Sequence, residues 1–142
     1  MRVRKVQIAK SQIETAIQLF FGKMDPFSVL TLAGAGEEIL GNLLSRQQKK
    51  NFLAVMSETA AQHGLNLDSR AVASVANAAR NALKHAKNDS EDDLQFDPEG
   101  ATIMLMRATI NYQLLVGELT DGMEEFLAWL RAERPQYLGG AT

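Results

Sequence analysis

The chain reads as an all-α, single-domain helical bundle of about five to six helices, and three observations predict this. Apolar residues recur at helical spacing almost throughout, helix start and stop signals punctuate the pattern, and no stretch alternates as a strand does. At 142 residues the length suits one domain with a real core. Hydrophobic residues make up 46% and charged residues 23%, an ordinary soluble balance. No internal repeat, low-complexity segment or interdomain linker divides residues 1–142.

The first helix is expected from about residue 4 to 22, with Val6, Ala9, Ile13, Ile17 and Phe20 on one face. "KMDPFSV" stops it and starts a second, because Asp25 can cap and Pro26 suits the first turn. That helix runs to about Arg46 on a stripe of Val29, Leu32, Ala33, Ile39, Leu40, Leu43 and Leu44. Within it, "AGAGEE" sets small residues where another helix can approach closely, offsetting the roughly 1 kcal/mol that each helical glycine costs.

A third helix is expected over about 49–62, with Phe52, Leu53 and Met56 inward and Gly64 ending it. Asp68 caps a fourth that reaches about Lys87 and buries Val72, Val75, Ala76, Ala79 and Leu83. The polar loop "NDSEDD" (88–93) follows. "FDPEG" repeats the Asp-Pro entry for a fifth helix ending near Leu119. Thr120 or Asp121 caps a last one containing Phe126, Trp129 and Leu130, and the tail, about 135–142, reads as frayed and flexible.

Composition narrows the chemistry. With no cysteine, disulfides, thiolate nucleophiles and Cys-based metal sites are excluded. The net charge of −2 leaves nucleic-acid contact to a local patch. There is no Gly-Lys-Ser/Thr phosphate loop, no Gly-x-Ser-x-Gly elbow and no Glu-x-x-His of a di-iron bundle. "NDSEDD" lacks the glycine and terminal glutamate of a calcium loop, so neither metal nor cofactor is expected. The basic start is not followed by a long apolar run, nor is any stretch long enough to span a membrane. A cytoplasmic protein is expected.

The segment "RNALKH" (80–85) carries the most chemistry. His85 is one of only two histidines, and an imidazole is the side chain suited to giving or taking a proton near neutral pH. Arg80 offers a fork of donors for phosphate oxygens, and Asn81 can orient the imidazole or hold a ribose. On an undistorted helix Asn81 and His85 share a face, whereas Arg80 and His85 lie about 140° apart and flank a broad one. Cations at a helix C-terminus also favour its dipole by roughly 0.3–1 kcal/mol each, which explains the same residues without a site.

The segment resembles the Arg-x4–6-His motif of the HEPN superfamily, small α-helical bundle proteins that include many prokaryotic ribonucleases. The resemblance covers about six residues specifically and the short all-α architecture generally. It implies a metal-independent endoribonuclease in which the ribose 2′-OH attacks the adjacent phosphodiester and leaves a 2′,3′-cyclic phosphate. His85 would be the acid/base, Arg80 the phosphate and transition-state stabiliser, and Asn81 the orienting residue. Apart from the resemblance, Lys84 and Lys87 are candidates to bind substrate by their charge, and Glu38 or its neighbour Glu37 could support Arg80 or His85. Lys87 stands where one toxin branch carries tyrosine, so regulation through that tyrosine is not implied. The resemblance further implies a homodimer whose two motifs face each other, an RNA substrate, and a toxin or RNA-processing role with an antitoxin-like protein partner.

The alternative is a non-catalytic helical dimerisation or interaction module that binds a partner protein or small ligand. It expects Arg80 tied into an intramolecular ion pair; the nuclease expects Arg80 and His85 to open into a polar cleft at a two-fold interface. Other candidates rank lower: Glu37 as a partner for Arg80 or His85, Arg107 and Asn111 lining the same cleft, and Arg2, Arg4 and Lys5 touching phosphate. Tyr112, Met104, Met106 and Trp129 read as packing, and His63 as a helix-end residue.

Overall fold

The computed structural model describes residues 1–47, 58, 61–62, 80–134 and 137. It is all-α: among these residues there are helices α1 (Lys5–Phe21), α2 (Pro26–Gln47), α3 (Glu99–Val116) and α4 (Asp121–Glu133), a 3-10 turn at Asp89–Glu91, and no strand. The expected third helix and most of the fourth lie outside the described residues, apart from helical positions at 58, 61–62 and 80–82.

Asp25 starts α2 as the sequence predicts: its carboxylate accepts from the Phe27 N–H at 2.9 Å and from the Ser28 hydroxyl at 2.5 Å. These bonds, the Ser28 one foremost, hold its pKa below the ordinary carboxylate value. Asp97 likewise accepts from the Glu99 N–H at 3.0 Å at the start of α3. Thr120 caps α4 by accepting from the Met123 N–H at 3.2 Å, and its hydroxyl also reaches Glu14 of α1.

α3 is the central helix. Every residue from Gly100 to Tyr112 is buried, so α3 is walled in all round instead of showing one apolar stripe. It packs on α2, which also lies along α1. Met104, Leu105, Met106 and Ile110 of α3 join Ile13, Leu30, Leu40, Met123 and Phe126 in the core. Phe20, Phe126 and Trp129 close one side, Phe20 meeting each of the other two edge-on.

Two boundaries differ from expectation. α3 stops at Val116, not near Leu119, because Gly117 takes a left-handed φ of 90° and returns its N–H to the Gln113 carbonyl at 2.8 Å. The helix entering at Arg80 stops at Ala82 and does not reach Lys87. Its last turn closes through i→i−3 bonds, Lys84 N–H to the Asn81 carbonyl (3.1 Å) and His85 N–H to that of Ala82 (3.5 Å). Residues 84–88 are all exposed, so no packing holds a further turn.

In the tail, Tyr137 is buried and donates its hydroxyl to Glu99 at 2.6 Å, while the rest of 135–142 lies outside the described residues. Glu99 also takes the Arg134 Nε–H at 3.0 Å, and the Arg134 guanidinium sits 4.7 Å over the Trp129 ring.

Candidate functional site

The buried face of α2 recurs at Leu30, Ala33, Glu37, Leu40 and Leu44, a three-and-four spacing that draws a carboxylate into the core. Leaving Glu37 charged there requires partners, and two arginines from other elements supply them. Arg107, in the middle of α3, donates from Nη2 to Glu37 Oε1 at 2.8 Å, with both side chains under a tenth exposed. Arg80 donates from Nη1 to the other oxygen, Oε2, at 3.4 Å, and to the Gly34 carbonyl at 3.4 Å.

Gly34 explains how Arg80 gets there. A Cβ at this position would lie 2.5 Å from Arg80 Cδ, so the arginine stem crosses α2 where that helix carries no side chain. "AGAGEE" does admit close neighbours, as expected, but they differ in kind. Gly34 meets a side chain from residue 80, whereas Gly36 meets Ile13 and the Ala9 carbonyl of α1.

Arg80 is 16% exposed, and its outer edge lines a small recess of about 130 Å³ with Thr31, Ala35, Glu38 and Lys84. Glu38, 56% exposed, holds its carboxylate 3.9 Å from Arg80 Nη1. Of the two carboxylates, Glu37 is the nearer to Arg80, with Glu38 at the rim. The buried spacing of α2 marks this in the sequence, because Glu37 continues the apolar register and Glu38 falls off it.

Asn81, Lys84, His85 and Lys87 are exposed, and of these only Lys84 lines the recess. The helix ends at Ala82, so His85 lies beyond it and not one helical turn after Asn81 on the same helix. Arg80 turns inward to α2, and Asn81, Lys84, His85 and Lys87 stand on the surface at the helix end. In the acidic loop beyond, the Asn88 side-chain amide donates to Glu91 at 3.0 Å.

Arg107 belongs to this cluster through Glu37. Asn111, one turn further along α3, is fully buried, and neither its amide nitrogen nor its oxygen has a hydrogen-bond partner among the described residues. A lone arginine in the apolar run "IMLMRATI" is the sequence signal for a buried partner. Tyr112, Met104 and Met106 are buried as packing residues, and His63 lies outside the described residues. Arg4 and Lys5 line a separate recess at the start of α1 with Val6, Leu43 and Leu115.

Among the described residues no group of His, Asp and Glu is arranged to hold a metal, and no helix is long and apolar enough to cross a membrane. Comparison with family models, curated proteins and solved structures gives no match.

Proposed function

We propose that the protein acts at RNA phosphodiesters as a HEPN-like, metal-independent endoribonuclease, working as a homodimer through Arg80, Asn81 and His85. The observation that carries this reading is the combination at one helix end. Arg80 is held at the wall of an open recess, and an exposed histidine, an asparagine and two lysines follow within the next seven residues. A fixed guanidinium can take two phosphate oxygens and the charge that develops on them, while an exposed imidazole can move a proton. One His85 serves as acid or base but not both in a single turnover step, so a second copy supplies the other. RNA or, in a toxin setting, an antitoxin-like protein would be the partners.

A second reading is favoured by one specific observation, the Arg80–Glu37 ion pair. It is what a non-catalytic helical interaction module requires, with Arg80 acting as a tie between elements. The local charge also supports it, because Glu91, Asp92 and Asp93 follow the basic segment closely and repel RNA. We place RNA first because the pair is long and leaves Arg80 at the wall of the recess, whereas a pure tie needs no open face.

The test is cleavage of a labelled mixed-sequence RNA in the presence of a chelator, by wild type and His85→Ala, with the products analysed for 2′,3′-cyclic phosphate ends. The nuclease reading expects cleavage that is lost in the variant. Equal trace activity in both proteins would end that reading and leave the interaction module.

A further inference from the structure

Glu37 sits between two arginines, and the two contacts are unequal. Arg107 meets one oxygen at 2.8 Å inside the core; Arg80 meets the other at 3.4 Å from the edge of the recess. Two guanidinium groups face one carboxyl, so even a full negative charge there leaves the three side chains with a net positive charge, and Arg80 is the cation on the side of the recess. Arg80 is therefore aimed by Glu37 without being neutralised by it. Its other fixed contact, the Gly34 carbonyl, carries no net charge. The remaining carboxylate within reach, Glu38, is exposed to solvent, where its attraction is screened and easily exchanged for that of another anion.

We propose that Arg107 and Glu37 form a positioning pair that presents a charged Arg80 to a phosphate group entering the recess of Thr31, Ala35, Glu38 and Lys84, with Glu38 as the carboxylate that the phosphate displaces. This rests on the reading of Arg80 as a phosphate-binding residue. It adds residues on two other helices, and Arg107 does not line the recess. The guanidinium is pre-oriented because its stem is seated over Gly34 and its Nε is shielded from solvent, so little side-chain freedom remains to be lost on binding.

The experiment is nuclear magnetic resonance of the arginine Nε–H groups in the full chain, with inorganic phosphate as the probe. The Arg80 signal is assigned by its absence in Arg80→Lys. In wild type we expect a sharp, slowly exchanging Arg80 signal that shifts on titration with phosphate. In Arg107→Met and Glu37→Gln it should collapse to the rapidly exchanging position of a free arginine, and the phosphate response should fall at least tenfold. Glu38→Gln, an exposed change with little risk to folding, should lower the half-saturating phosphate concentration several-fold.

An Arg80 signal that stays sharp and responsive in Arg107→Met overturns the proposal, as does an unchanged phosphate response in Glu38→Gln. No phosphate response in wild type also overturns it. If that result came with His85-dependent RNA cleavage, the nuclease reading would survive and only this placement of the phosphate would fail.

Discussion

Each oxygen of the buried Glu37 carboxyl meets an arginine. Taking an ion out of water costs several kcal/mol, and a bond of 2.8 Å inside the core, where screening is weak, is the geometry that offsets such a cost. The sequence names Arg107 and Glu37 as lesser candidates and Glu38 as the supporting one. What it does not reveal is that residues 37, 80 and 107 meet, since no short-range rule connects three helices. Tyr137 is a second residue that spacing alone does not place. Burial first, and then its hydrogen bond to Glu99, push its pKa well above the ordinary tyrosine value. An unfolded tyrosine ionises near about pH 10, so its neutral form favours the fold below that pH. That contribution is lost as pH rises beyond it toward the folded pKa. The denaturant midpoint should therefore fall above about pH 10, and Tyr137→Phe should fall less steeply. Some slope should remain, because Tyr112 is shifted the same way, by burial and by Glu118 and Glu14.

At the scale of elements, the capping residues were the most legible feature. Asp25 and Asp97 each hold a backbone N–H at the start of the expected helix, and Thr120, one of two candidates, caps α4, because such a bond joins neighbours in sequence. Helix ends without a cap were less legible. Gly117 sits inside an otherwise helical run, and the end at Ala82 depends on nothing packing beyond it. The glycines of α2 make a sharp comparison. Among the described residues a Cβ at Gly41 meets no atom within 4 Å, so Gly41→Ala should gain helix propensity and stabilise by about 0.5–1 kcal/mol. A Cβ at Gly36 would lie 2.9 Å from Ile13 Cγ1 and 3.3 Å from the Ala9 carbonyl. Overpacking of about 1–3 kcal/mol should outweigh the same gain, so Gly36→Ala should be destabilised by up to about 2 kcal/mol. Urea unfolding of the two variants beside wild type checks both signs, and a stabilised Gly36→Ala would mean that α1 and α2 are not in this close contact.

Over the whole molecule, hydrophobic periodicity was enough to give the all-α class, because each amphipathic stripe must be covered by another helix. It did not show that α3 would be enclosed on every side, although "ATIMLMRATINY" has few polar residues, and those that it has are buried. The site was legible as a motif and not as a geometry. Six adjacent residues suggested one catalytic face, but the fold sends Arg80 inward and leaves Asn81 and His85 on the surface. Whether Arg80 serves the fold alone or the fold and a phosphate is the central question. Arg80→Lys separates these roles, since lysine keeps the charge facing Glu37 and a stem that passes Gly34 but lacks the planar fork. The measurement is chelator-resistant RNA cleavage by Arg80→Lys beside its melting temperature. Melting close to wild type is expected, with cleavage reduced by about 10²-fold or more, the loss typical when one transition-state donor is removed. Cleavage at the wild-type rate in Arg80→Lys would contradict a phosphate role for Arg80.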